Sequence, residues 1–130
     1  MDRDRFDRSE TEWAAVRERL RKILGSEETV TFVAEEEGDL VGELLAVPRA
    51  PGVVGIGVSV ADGRRRKGVA TALFAAAAVW ARDARIRELQ LDVQEANEPA
   101  RSLYGKLGFI DTGRRRPGER GPVLTMSKSL

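Results

Sequence analysis

Val58-Ser59-Val60-Ala61-Asp62-Gly63-Arg64-Arg65-Arg66-Lys67-Gly68-Val69-Ala70-Thr71 is the stretch on which the reading of this chain turns. Its first residues end an alternating β-branched run, its middle is a basic turn, and Gly68 opens an apolar segment of helical spacing. The first turn of a helix leaves backbone N–H groups unpaired and carries the positive end of the dipole. Small residues such as Gly68 and Ala70 let an anion reach those groups, and adjacent Arg and Lys side chains add charge-assisted contacts. The stretch therefore predicts a strand, an anion-binding turn and a helix. Two other phosphate loops do not fit. A P-loop needs GxxxxGK[ST], and Gly63 followed by Gly68-Val69-Ala70 lacks its Lys and Ser/Thr. A dinucleotide fingerprint starting at Gly55-Ile56-Gly57 would need glycine where Val60 stands.

Before this stretch, Ser9-Glu10-Thr11-Glu12 reads as a capping box for a helix with Trp13, Val16, Leu20 and Ile23 on one face and Gly25 as its stop. Residues 1–8 are charged and irregular. Thr29 to Ala34 alternates as a strand, Gly38-Asp39 turns, and Leu40 to Val47 returns as the second arm of a hairpin. Pro48 to Gly52 reads as a loop. Val53 to Val60 is a third strand, whose glycines mark a bulge or a close backbone approach. The helix from Gly68 to about Ala84 carries one stripe of Leu73, Ala77, Trp80 and Ala84 and another of Ala70, Phe74, Ala78 and Ala81. It is therefore expected to be buried on a sheet.

After it, Leu89 to Val93 is a strand, and Asn97 caps a helix with Pro99 in its first turn. Ala100, Leu103, Tyr104 and Leu107 form the inner stripe of that helix, and Gly108 ends it. Phe109-Ile110 starts a strand, Arg114 to Pro122 reads as a solvated charged loop, and Val123 to Met126 closes the sheet. The order α-β-β-β-α-β-α-β-β predicts an α+β fold, with a mixed sheet flanked by helices in one domain over 1–130.

Composition removes several chemistries. The 130 residues include no cysteine and no histidine, which excludes disulfides, thiolate metal sites and every Ser–His or Cys–His arrangement. Acid–base work falls to Asp, Glu, Tyr, Lys or water. Lys plus Arg is 22 against 21 Asp plus Glu, a net charge of +1. With aromatics at 5% and no stacking platform on a strand, a nucleic-acid binder is the weakest reading. The longest apolar run, Val69 to Ala81, is too short to span a bilayer, and the N-terminus lacks the apolar core of a signal peptide. The expected location is cytoplasmic, with no membrane partner.

Two spaced patterns carry a family resemblance. Arg65-Arg66-Lys67-Gly68-Val69-Ala70 meets Gln/Arg-x-x-Gly-x-Gly/Ala. Asn97, Ala100, Tyr104, Gly108 and Phe109 meet Asn-x-x-Ala-x-x-x-Tyr-x-x-x-Gly-Phe. With both patterns present, 27 residues apart and a strand between them, the chain resembles the GNAT N-acetyltransferases.

The resemblance implies a three-layer fold with a mixed, mostly antiparallel twisted sheet. Acetyl-CoA would be the co-substrate, a primary amine the acceptor, and no metal would be needed. The pyrophosphate would sit on the loop formed by Arg65, Arg66, Lys67, Gly68, Val69, Ala70 and Thr71. Val58, Ser59 and Val60 would splay from the neighbouring strand and hydrogen-bond the pantetheine arm, with Asn97 on its other side. Tyr104 would give a proton to the departing thiolate. Asp92 is the first candidate base and Glu43 the second; alternation turns Asp92 away from Leu91 and Val93.

Plainer readings stand beside these. Tyr104 also suits a core, Asn97 caps its helix whatever else it does, and Arg64 to Lys67 also reads as a solvated charge run. A CoA-binding regulatory or scaffold domain without turnover is the competing function. The family usually has a strand and a helix before the helix expected at Ser9, and here only residues 1–8 precede it. The expectation is a fold lacking that first strand and helix, with an open sheet edge that favours a homodimer.

Overall fold

The computed structural model describes residues 29–61 and 68–130. The expected helix at Ser9, the expected absence of a strand and helix before it, and the turn 62–67 lie outside the described residues. Within them the elements are β1 (Val30–Glu36), β2 (Asp39–Ala50), β3 (Val53–Val60), α1 (Val69–Asp83), β4 (Glu88–Gln94), α2 (Glu98–Lys106), β5 (Ile110–Arg116) and β6 (Val123–Ser129). The strands form one mixed sheet in the order β1-β2-β3-β4-β6-β5, antiparallel except where β3 runs parallel to β4. A parallel pair needs a crossover, and α1 supplies it.

Alternation decides which side chains meet the helices. Val30, Phe32 and Ala34 of β1, Leu44 and Ala46 of β2, Val54 and Ile56 of β3, Leu89, Leu91 and Val93 of β4, and Leu124 and Met126 of β6 are all buried. They make one core with Val69, Leu73, Phe74, Ala77 and Ala81 of α1. The apolar stripe of α1 is thus pressed onto the sheet as its 3.6-residue spacing requires. Trp80 is half-buried and meets Phe32 edge to face at 6.0 Å, a core anchor as its sequence position suggests. Helix α2 lies on the same side: Tyr104 packs against Phe74 at 5.8 Å and Phe109 at 6.3 Å. The opposite face presents Glu43, Gly57, Ser59, Gln90, Asp92, Thr125 and Ser127, and it carries no helix among the described residues.

Three expected boundaries move. The first hairpin turns on Glu37-Gly38, both at positive φ of 54° and 86°, the two-residue geometry that matches strand twist. The expected loop 48–52 is mostly strand, since β2 continues to Ala50 with an irregularity at Arg49. Pro48 lies past Ala46, the last residue paired with β1, and has a partner strand only on the β3 side at Val54, an edge position of the kind that tolerates proline. Arg114 to Arg116 belong to β5 and not to a loop: Gly113, at φ 86°, absorbs a bulge between Asp111 and Arg115, after which pairing with β6 resumes.

Gly42 sets how closely α1 approaches the sheet. A Cβ there would stand 2.7 Å from Val69 Cγ1 and 3.3 Å from Leu73 Cδ1, so the first turn of α1 rests directly on the backbone of β2. Gly42→Ala is expected to lower unfolding free energy by about 1–3 kcal/mol through overpacking. Adding Val69→Ala removes the struck methyl and should recover part of that loss, with a coupling of about 0.5 kcal/mol or more. Urea melts of the parent, both single variants and the double variant measure it; strictly additive losses would disprove the contact.

Candidate active site

The parallel pairing of β3 with β4 stops early. Val53, Val54, Gly55 and Ile56 face Glu88, Leu89, Gln90 and Leu91, and beyond that point the two strands are no longer paired. Each remains held on its outer side: Val58 to Val60 pair with Leu44 to Gly42 of β2, and Asp92 to Gln94 pair with Thr125 to Val123 of β6. The result is a wedge-shaped gap in the middle of the sheet, with backbone N–H and C=O groups along both walls. An extended chain bearing amides can pair with such a wall as an added strand does. Val58 and Val60 turn toward the helices and pack on the core, while Ser59 is exposed on the other face.

Helix α1 opens just beyond this gap. Gly68 is its N-cap at φ 81°, ψ 6°, no side chain among the described residues caps the turn, and the first turn holds no acidic residue. The N–H groups of Val69, Ala70 and Thr71 are therefore not bonded within the helix and have no side-chain cap among the described residues, which suits an anion. A left-handed φ favours glycine at 68, so the residue chosen for small size is also chosen for its backbone. Arg65, Arg66 and Lys67 lie outside the described residues.

Asn97 caps α2, its Oδ1 accepting from Ala100 N at 3.2 Å; the amide nitrogen is not used in that bond. Tyr104 is half-buried in an edge-to-face cluster with Phe74 and Phe109, which themselves meet at 5.5 Å. Its hydroxyl has no hydrogen-bond partner among the described residues. Burial raises its pKa above the ordinary phenol value, so it stays protonated at neutral pH. That suits a proton donor.

Asp92 projects from the face opposite Leu91 and Val93, as alternation predicted, and so stands across the sheet from Tyr104. Arg49 Nη2 donates to its Oδ2 at 3.0 Å, and Thr125 Oγ1 donates to its Oδ1 at 3.0 Å. Arg116 lies 3.7 Å from Oδ2. Partial burial alone would raise the carboxyl, but the bonds from Arg49 and Thr125 and the charges of Arg49 and Arg116 prevail and hold it below the usual range. Glu43 is exposed on the same face, opposite Ser59 in register and one strand away.

Asp92 thus shares one face of the sheet with Ser59 and Glu43, whereas Tyr104 belongs to the other. The arginine run read as solvated is divided in its roles: Arg116 faces Asp92, and Arg115 bonds Asp111 at 2.8 Å and Glu95 at 2.6 Å. The hydrogen bond from Arg115 pushes Asp111 down to about 2. Sequence reasoning missed Arg49 because it assigned 48–52 to a loop; Gly55 was the available signal. A shallow groove of about 380 Å³, lined by Glu98, Arg101, Ser102, Asp111 and Met126, shares no residue with the gap. No cluster of metal-ligating side chains occurs among the described residues.

The acetyltransferase (GNAT) family profile matches residues 2–109. Solved structures share the fold. The acetyltransferase of the GNAT family from Streptococcus pneumoniae is 28% identical with a TM-score of 0.74, over 85% of this chain and 72% of that one. The ribosomal-protein-alanine N-acetyltransferase from Brucella melitensis is 25% identical with a TM-score of 0.74, over 86% and 74%. A putative streptothricin acetyltransferase from Bacillus anthracis, solved in complex with acetyl coenzyme A, is alike in fold at 19% identity and TM-score 0.74, over 81% and 64%. No curated protein matches the chain significantly. With the family profile spanning both the splayed strand and the uncapped helix opening, this chain belongs to the GNAT family of acetyltransferases.

Proposed function

We propose that the protein transfers an acetyl group from acetyl-CoA to a primary amine of a small molecule or protein, by direct attack in a ternary complex. One observation carries the reading: the β3–β4 pairing ends at Ile56 and Leu91, and the freed strand leads toward an uncapped helix N-terminus. A pantetheine arm pairs with the wall at Val58 to Val60, and the pyrophosphate takes the N–H groups at Gly68 to Thr71, with Arg65, Arg66 and Lys67 adding charge. Asn97 holds the arm from the β4 side.

In the reaction the amine nitrogen attacks the thioester carbonyl and forms the C–N bond. The carbonyl oxygen gains charge, which N–H groups on the β3 wall stabilise. The C–S bond then breaks, and Tyr104 gives its hydroxyl proton to the sulfur. A Lys-like amine has a pKa of about 10.4, so the nucleophile must shed a proton near neutrality. Asp92 accepts a hydrogen bond from the amine. Because its arginine partners lower its proton affinity, it passes the proton on to water and does not keep it. Absence of cysteine excludes an acetyl-cysteine intermediate.

Release of CoA thiol from acetyl-CoA with a panel of amines tests turnover; binding without release would favour the regulatory alternative. Gly68→Glu places a like charge and a strained φ at the helix opening. It is expected to weaken acetyl-CoA by about tenfold or more, ~1.4 kcal/mol by calorimetry; undiminished binding would remove the pyrophosphate site from this turn. Tyr104→Phe is expected to lower kcat about 10²-fold. The raised phenol pKa means the donor form is present below it and lost only above it, so Tyr104 ionisation should cause no fall in parent kcat from about pH 7 to about pH 9. Full activity of Tyr104→Phe across that range would end the proton-donor role.

A further inference from the structure

Asp92 is held by a side chain that crosses an entire strand to reach it. Arg49 leaves β2 at its irregular end, passes over β3 and arrives at β4, where it bonds Asp92 and also Gln90 Oε1 at 3.2 Å. It can do so only because residue 55 is glycine: a Cβ at Gly55 would collide with Arg49 Nε and stand 3.0 Å from both Cδ and Cζ. Gly57, two residues on and on the same face, has nothing among the described residues within 4 Å of such a Cβ. The space above one glycine of the pair is filled by the arginine; above the other, no described residue stands.

The crossing side chain is itself held. Gln90 Nε2 donates to Glu88 Oε2 at 2.8 Å, and Ser127 Oγ donates to the same oxygen at 2.6 Å. These bonds keep the Glu88 carboxyl below its usual range and fix the amide of Gln90 with its oxygen toward Arg49. The groups facing Asp92 are therefore Arg49 from β2, Gln90 from β4, Arg116 from β5 and Thr125 from β6, with Glu43 farther along the face. A carboxylate offers about four acceptor positions. Thr125 and Arg49 Nη1, at 3.0 and 3.5 Å, use Oδ1, and Arg49 Nη2 uses one position on Oδ2. Among the described residues the second position on Oδ2 takes no hydrogen bond, and the Arg116 guanidinium stands 3.7 Å from that oxygen.

We propose that Arg49 is a positioning residue for acetyl transfer: laid across Gly55, it fixes the orientation of the Asp92 carboxylate at the point where β3 and β4 part, where the amine is to react. This rests on the function proposed above. A free carboxylate on a strand rotates, and a misplacement of about 1 Å from the reacting geometry lowers rate by about 10²-fold. The planar fork of Arg49 prevents that rotation, because it grips both oxygens while Gln90 anchors its Nη1.

The test uses the full chain with Arg49→Gln, Arg49→Lys and Gly55→Ala. Gly55→Ala retains every charged group and only displaces the guanidinium; Arg49→Gln leaves the backbone untouched, so one result stands if the other variant folds poorly. The readouts are steady-state kinetics with the best amine and a carbon-13 titration of the Asp92 carboxyl. Both Arg49→Gln and Gly55→Ala should raise the Asp92 midpoint above that of the parent and lower kcat by about 10- to 100-fold. The KM for acetyl-CoA should stay within about twofold, since the cofactor walls are untouched. Arg49→Lys, with its charge but no fork, should restore the midpoint more than the rate. Parent-like kcat in both Arg49→Gln and Gly55→Ala, or an unmoved Asp92 midpoint, would overturn the positioning role while leaving acetyl transfer intact. Lack of parent turnover with every amine would overturn the proposed function, and the positioning role with it.

Discussion

A sheet in which two neighbouring strands stop pairing halfway carries unpaired backbone groups at its centre, and such groups are costly unless something bonds them. Here β3 and β4 part after Ile56 and Leu91 while each stays tied to its outer neighbour. The outer ladders hold the walls apart so that neither can relax onto the other. The site proposed for acetyl transfer is arranged around this separation. It supplies amide donors and acceptors at a fixed spacing, and it leads directly to a helix whose first N–H groups have no side-chain cap among the described residues.

The sheet also separates two kinds of chemistry. On the helix face, Tyr104 sits in an aromatic cluster whose apolar surroundings keep the phenol protonated. On the other face, Asp92 sits among arginines that keep it ionised. In the proposed reaction an acid that gives a proton and a carboxylate that stays charged need opposite environments, and they are hard to provide within one small pocket. Placing them on either side of a gap in the sheet provides both. Glycines make the arrangement fit. Gly42 admits the first turn of α1, and Gly55 admits the side chain of Arg49.

Much of this was legible in the residues. The hairpin, the buried crossover helix, the Asn97 cap and the Gly108 stop follow from alternation, helical spacing and cap chemistry, and the structure has them. The opening of α1 at Gly68 was readable because small residues after a strand have few other uses. The direction of Asp92 followed from its two apolar neighbours. The misjudged segments share a cause. Pro48 to Ala50 and Arg114 to Arg116 have the composition of loops, yet both are strand because a bulge lets each resume pairing after an irregular residue. Composition reports the bulge and not the pairing that survives it.

The sequence by itself determined the kinds of groups available, the order of elements and the faces on which side chains fall, because these depend on periods of two and 3.6 residues and on local backbone preference. It also determined what was excluded: without histidine or cysteine, acid–base work falls to carboxylate, phenol, lysine amine or water. Only the tertiary structure decided where the β3–β4 ladder ends, and that Arg49 and Asp92, 43 residues apart, meet across an intervening strand. Those facts depend on the twist and outer pairing of the whole sheet and on space above single glycines, which no window along the chain contains.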